Sequence, residues 1–339
     1  MFASVCFLIF SLGLILLAAE GFTNGIELVG RRLSFSQAVV GSILAAVGTA
    51  LPETILPLVA ILSKNNTHAQ AIGVGAILGA PFMLATVGFF LIGVSAVIAC
   101  RKNGRALEIR AEVGTIKRDL TFFLSMYSAA ILIPMIMGPS AKVPVALLLL
   151  VGYAFYVWQT VQGESAGLEH FESLHFVKLP VRFGWLEEGA YLLPFAAAQI
   201  LCALAVMVIG AQVFVKHLGV VSAACGFDPL LFALLIAPVA TELPEKFNTV
   251  TWMLKGKDTL AVGNMTGAMV FQATFPVSIG LLLTSWDVHG LALMSAILAI
   301  LSAAVVLGFV TFHKKMAPGM MMFGGLLYAV YAVIVMRQH

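Results

Sequence analysis

The chain has 339 residues, 61% of them hydrophobic and 10% charged, and its mean hydropathy is +1.03. Soluble domains carry about 25% charged residues, so this composition excludes a soluble globular protein and indicates an integral membrane one. A formal net charge of +3 marks no nucleic-acid surface. The sequence has no nucleotide-binding loop, no His-Glu-x-x-His pair and no Ser/His arrangement, which argues against ATP-driven transport and against an enzyme.

Apolar runs of about 20 residues are the unit that crosses a bilayer. They predict ten helices, at 2–30, 35–63, 69–99, 119–138, 142–162, 189–216, 221–254, 259–284, 289–312 and 317–336. Residues 2–19 end in Ala18-Ala19 as a signal peptide would. No basic stretch precedes them, however, and the apolar pattern continues past Glu20, so they read as a first membrane helix. Helices one, two, six and seven exceed what a bilayer needs, which predicts tilt or a break. Cys6, Cys100, Cys202 and Cys225 show no metal-ligand spacing and read as buried small hydrophobes. His217, His289 and His313 fall at loop edges by these limits.

The charges between the runs predict an orientation. Alternate connections carry Arg31 and Arg32, then Arg101 to Arg118, then Lys178 and Arg182, then Lys255 and Lys257, then Lys314 and Lys315. The opposite set carries Lys64, Lys142 and Lys216, with Arg337 at the end. The richer set faces the cytoplasm, so both termini are expected outside a multi-pass protein of a prokaryotic-type plasma (inner) membrane.

Two stretches carry the chemistry. Ala237-Pro238-Val239-Ala240-Thr241-Glu242-Leu243-Pro244-Glu245 sets carboxylates and prolines inside an apolar run, and Ala46-Val47-Gly48-Thr49-Ala50-Leu51-Pro52-Glu53 repeats its Thr-x-Leu-Pro-Glu core. A charge at the bilayer centre costs roughly 2.5–3.5 kcal/mol on insertion scales, so such a carboxylate is expected to bind something. Proline removes a backbone donor and frees a carbonyl that lipid cannot satisfy. Acid side chains and freed carbonyls at one depth make a hard-cation site. Superposing the two stretches aligns Gly75-Ala76-Ile77-Leu78-Gly79-Ala80 with Gly263-Asn264-Met265-Thr266-Gly267-Ala268. Five helices in each half is an odd number, so the second half is expected to be inverted across the membrane.

These halves resemble the two alpha repeats of the cation/calcium exchanger superfamily, most of all the prokaryotic sodium/calcium exchangers. That family carries Gly-Thr-Ser-Leu-Pro-Glu in the second helix of each half and Gly-Asn-x-x-Gly-Ser-Asn in the third. The resemblance implies an all-α membrane protein of ten transmembrane helices in two inverted five-helix repeats. Residues 1–138 form the first repeat (helices one to four, motif at 41–86). Residues 139–188 hold helix five and a cytoplasmic linker, and 189–339 form the second repeat (helices six to ten, motif at 233–276). The departures fall at polar positions. The serine before Leu-Pro is Ala50 and Glu242, the Gly-Asn asparagine is Ala76 and Asn264, the later serine is Ala80 and Ala268, and the last polar ligand is Leu84 and Gln272.

Glu53 and Glu245 are the leading cation ligands, with Thr49 and Thr241 beside them; either threonine is alternatively bonded back to its own helix. Glu242 reads as a third ligand carboxylate or as a proton acceptor in a vestibule. Asn264 and Gln272 share a helical face and are either ligands or interhelical hydrogen-bonding groups. The function implied is a secondary antiporter that exchanges Ca2+, or another divalent cation, against Na+ and/or H+ by alternating access. The alternative is a non-transporting receptor or sensor that kept the fold while its ion site eroded. No cofactor beyond the transported ions is expected. The partners are inorganic cations and the lipid bilayer, with no nucleic acid or nucleotide, and the protein is expected to be a monomer.

Overall fold

The computed structural model describes residues 1–32, 45–63, 67–102, 104, 106–163 and 192–337. Side chains at 27, 28, 30–32, 45–49, 161, 163, 192, 193, 244 and 245 lie outside that description. The described chain is helical: α1 (Phe2–Arg32), α2 (Ala45–Leu62), α3 (Thr67–Lys102), α4 (Val113–Met137), α5 (Lys142–Gly163), α6 (Leu192–Cys225), α7 (Pro229–Leu254), α8 (Asp258–Leu283), α9 (Gly290–His313) and α10 (Pro318–Arg337). Extended pairing among the described residues is one isolated bridge, Ile109 to Met316. Among the described residues, eight of these helices are long and apolar enough to cross a membrane, and Ala50–Leu62 of α2 and Pro229–Leu243 of α7 are shorter apolar stretches.

Several expected limits shift for identifiable reasons. α6 runs on to Cys225 and α7 starts only at Pro229. Asp228 is the N-cap of α7; its Oδ1 accepts from the amides of Leu230 at 2.9 Å and Leu231 at 3.1 Å, and Pro229 fills the first helical position, where no amide is needed. His217 therefore lies inside α6, stacked on Phe7 at 4.7 Å, rather than at a loop edge. The expected breaks at Pro52 and Pro244 are absent: α2 and α7 continue through both. The helix departs from α geometry elsewhere, at a π-helical turn over Leu84–Gly88 in α3, just after Pro81. A π turn shifts the bonding register and exposes carbonyls, and Ser302 of α9 donates to the Ala85 carbonyl there at 2.5 Å. Of the cysteines, Cys100 is buried, but Cys6, Cys202 and Cys225 are exposed. The expected linker at 163–188 and the beginning of the second predicted helix lie outside the described residues.

Two apolar bodies make up the interior. One joins α3, α4, α5, α7, α8, α9 and α10, with Ile61 from the end of α2. The other joins α1, α2 and α6 to the early turns of α3 and of α7. α1 lies along α6. A methyl group on Gly25 would stand 2.8 Å from Ile200 Cγ1, and one on Gly210 would stand 2.9 Å from Ile15 Cγ1. Small residues at such crossings let backbones approach where no hydrophobic effect drives them together. Gln199 adds a bond across this pair, donating to the Gly21 carbonyl at 2.6 Å.

The tightest crossing lies between α3 and α7. A Cβ on Gly75 would fall 2.2 Å from the Leu230 carbonyl oxygen, and one on Gly79 would fall 2.2 Å from that of Leu234 and 2.7 Å from Pro238 Cγ. Only hydrogen fits there. The remaining contacts come in reciprocal pairs. α5 packs on α8 and α10 packs on α3, while α4 touches α8 and α9 touches α3.

Candidate functional site

The α3–α7 crossing brings α2 beside α7, and a pocket opens where the two apolar bodies meet. Its walls are Glu53, Leu56 and Pro57 from α2, Ala76 and Ala80 from α3, and Ala237, Pro238 and Thr241 from α7. Glu53 is 7% exposed and Thr241 3%. A carboxylate buried at such a place loses most of its hydration, which is tolerable where a proton, a cation or hydrogen-bond donors restore the balance. Thr241 donates its hydroxyl hydrogen to the Ala237 carbonyl at 3.2 Å. The back-bonding expected as an alternative is therefore present, and it uses the donor while leaving oxygen lone pairs for a cation. Thr54, next to Glu53, is likewise bonded back, to the Ala50 carbonyl at 2.9 Å.

The candidate residues whose side chains are described fall in two clusters and one separate position. Glu53 and Thr241 share the pocket. Thr49 lies one turn before Glu53 on α2, and Glu245 one turn after Thr241 on α7; the side chains of Thr49 and Glu245 lie outside the described set. Glu242 and Gln272 form a second cluster beside the pocket. Glu242 Oε1 accepts from Gln272 Nε2 at 2.8 Å, linking α7 to α8. Glu242 Oε2 stands 3.2 Å from the ammonium nitrogen of Lys246. Asn264 is exposed, and its Oδ1 accepts from the Thr249 hydroxyl at 3.0 Å, the interhelical bond weighed against ligation in the sequence.

Two groups that the sequence reading passed over hold buried charge. Lys246 is 1% exposed, as is Glu242. Their i, i+4 spacing was the available signal, since residues four apart share a helix face. A charge in an apolar run is tolerable when its partner lies one turn away. The other group is Asp119 of α4, also 1% exposed. Its Oδ1 accepts from Arg118 Nε at 3.1 Å, Arg118 Nη2 at 3.0 Å and Tyr156 OH at 3.1 Å, and its Oδ2 accepts from the Thr266 hydroxyl at 2.6 Å. This knot ties α4 and α5 to α8. Thr266 sits two residues after Asn264, so the knot fixes the rotation of the helix that carries Gln272. No local pattern announced it, because Tyr156 and Thr266 come from distant parts of the chain.

Comparison with known proteins agrees with this architecture. The inner membrane protein YrbG of Escherichia coli (strain K12) is 22% identical over 319 residues, covering 94% of this chain and 92% of its own. The crystal structure of the H+/Ca2+ exchanger CAX matches with a TM-score of 0.71 at 16% identity, over 98% of this chain and 86% of that one. The sodium-calcium exchanger NCX_Mj matches with a TM-score of 0.56 at 17% identity, over 98% of both chains. At these identities the structural likeness establishes a shared fold. The chain is a multi-pass integral membrane protein. The profile of the sodium/calcium exchanger protein family matches residues 3–161 and 195–338, nearly the whole length, and the chain belongs to that family.

Proposed function

We propose that this protein is a secondary antiporter that carries a divalent cation, Ca2+ first among them, against Na+ and/or H+. The observation that carries the reading is Glu53, 7% exposed in a pocket it shares with Thr241 at the meeting of α2, α3 and α7. Membership of the exchanger family supports it. Glu53 and Glu245 hold the cation, Thr49 and Thr241 add hydroxyl oxygens, and the Gly48 and Ala240 carbonyls, whose i+4 partners are Pro52 and Pro244, complete a set near the six to eight oxygens that Ca2+ takes. A relative described as an H+/Ca2+ exchanger and one described as a sodium-calcium exchanger share the fold, so both counter-ions are carried forward.

The topology proposed is ten transmembrane helices in two inverted repeats with both termini outside. The reciprocal packing of α5 on α8 and α10 on α3 supports it. Alternating access is assigned to α1 and α6, which belong to one apolar body with α2 and slide against the other. Both oxygens of Glu242 are engaged, by Lys246 and Gln272, and proton exchange is assigned to Glu53 and Glu245 as the acids common to the two motifs.

Uptake of labelled Ca2+ into proteoliposomes, with a Na+ gradient and a pH gradient imposed separately, tests the proposal. Flux driven by either gradient is the expected result. Ca2+ binding without flux under both gradients would favour the sensor reading, which Ala50, Ala76, Ala80 and Leu84 at polar family positions otherwise suggest.

A further inference from the structure

We propose that Lys246 is a tethered cation: its ammonium group fills, on the Glu242–Gln272 side of the site, a place that a mobile monovalent cation would otherwise take. It thereby lowers by one the number of monovalent charges exchanged for each divalent cation. The inference rests on the antiporter reading for its transport consequence, but not for its binding consequence.

The geometry begins with a carboxylate that faces two donors. Glu242 Oε2 lies 3.2 Å from Lys246 Nζ and Oε1 lies 2.8 Å from Gln272 Nε2. All three side chains are at most 2% exposed. The orientation of the Gln272 amide follows from chemistry, because a carboxylate only accepts and so turns the NH2 group toward itself. That leaves Gln272 Oε1, which is buried with no hydrogen-bond partner among the described residues. Buried amide oxygens are seldom left so. Glu242 thus offers one carboxylate oxygen to α8 and the other to a cation in a dry cluster, and the chain supplies that cation covalently from one turn along α7. Glu242 and Gln272 also stand where the family resemblance places polar ligands.

The charges give the consequence. Glu53, Glu242 and Glu245 contribute −3 and Lys246 contributes +1, a formal total of −2. One divalent cation, or two monovalent cations or protons, neutralises that total. Without the ammonium the total is −3: one divalent cation then leaves a formal −1, whereas three monovalent charges bring the site to zero. The native chain is then electroneutral at two monovalent charges per divalent cation, and the chain without the lysine charge exchanges three and moves net charge.

The test uses the full chain in proteoliposomes with a K+/valinomycin potential imposed on Ca2+ flux. Wild-type flux should ignore the potential, and flux through Lys246→Met should follow it, with the stoichiometry from reversal potentials rising from two to three. Glu242→Gln with Lys246→Met removes both charges and should return to two, whatever its rate. A voltage-driven wild type, or a Lys246→Met flux still indifferent to voltage, overturns the proposal, as does a double variant that is voltage-driven.

A binding measurement stands apart from transport. In detergent, millimolar Na+, Li+ or methylammonium should raise the Tm of Lys246→Ala by several degrees and leave the wild type unchanged, because the small cations refill the emptied place. Lys246→Ala indifferent to all three cations counts against the tethered cation. If Lys246→Ala does not fold, Lys246→Gln, which keeps the stem and a weaker donor, carries the same comparison. Should the wild type move no divalent cation while the lysine variant gains this stabilisation, the antiporter reading fails and the tethered cation stands.

Discussion

In α2 the segment Thr49-Ala50-Leu51-Pro52-Glu53 is followed by Thr54-Ile55-Leu56, and Glu53 is the one charged residue of the helix. In α7 the matching segment is Thr241-Glu242-Leu243-Pro244-Glu245, followed by Lys246-Phe247-Asn248, with three charges in five residues. The third helices diverge the same way. α3 presents Ala76 and Ala80 to the pocket, whereas α8 sends Gln272 to Glu242. One side sets its acid in the pocket with Thr241; the other pairs one of its acids with a lysine one turn along the same helix. Two halves built on one motif have divided the work. On the proposed reading, the first supplies charge for an exchangeable ion, and the second also supplies a fixed counter-charge that sets how much mobile charge the site requires.

The deepest break in this comparison comes from neutralising the shared acids. Glu53→Gln should reduce divalent flux to background and leave thermal stability nearly unchanged, since volume and hydrogen-bonding capacity are kept. Glu245→Gln should do the same. Flux at the wild-type level in either variant, measured with labelled Ca2+, would make that glutamate a structural acid and remove one half from the exchange.

The charge pair of the second half has no counterpart in the first, and its stability cost is the next largest effect. Removing one partner of a buried ion pair strands the other and typically costs about 3–5 kcal/mol, while replacing both with apolar or neutral groups is often close to neutral. Lys246→Met alone should therefore unfold at clearly lower denaturant than Glu242→Gln with Lys246→Met. Equal stability of the single and double variants would mean that the pair is solvated in the native state.

Much of this was legible beforehand, for physical reasons. Helix content and spans follow from apolar length, because backbone groups in lipid must be satisfied within the segment. Glu53 stood out because a lone carboxylate in an apolar run is costly. Lys246 was visible at i+4 from Glu242, but a mixed run of charges at a helix centre resembles the approach to a loop until burial is known. The Asp119 knot and the π turn at Leu84–Gly88 depend on partners such as Thr266 and Ser302, far away in sequence, and no local pattern encodes them. The α6–α7 boundary was encoded, in Asp228-Pro229, a capping signal that the apolar count overran.

Glycine substitutions sharpen the contrast on a smaller scale. A methyl group on Gly79 would meet the Leu234 carbonyl at 2.2 Å, whereas its counterpart Gly267 would meet the Tyr156 hydroxyl at an ordinary 3.6 Å. Gly79→Ala should push α3 off α7 and destabilise by about 1–3 kcal/mol, the usual cost of overpacking. Gly267→Ala should be neutral or slightly stabilising, because alanine favours the helix. Chemical denaturation of the two variants side by side measures the difference, and similar losses would show that the two crossings are equally tight.

The smallest effect concerns the methyl groups that stand where relatives carry serine. Ala80 lines the pocket with Glu53, while Ala268 does not. Ala80→Ser would add a hydroxyl oxygen beside the carboxylate at the expense of one extra buried atom. An added polar contact contributes about 0.5–1.5 kcal/mol, which corresponds to roughly 2- to 12-fold in affinity. The Na+ concentration for half-maximal effect on Ca2+ flux should fall by that factor in Ala80→Ser and change little in Ala268→Ser. The two serines would act equally if the halves were equivalent around the ion. A shift confined to position 80 would place the exchangeable ion on the Glu53 side. A shift confined to position 268 would place it instead against α8, and the division of work between the halves would have to be reversed.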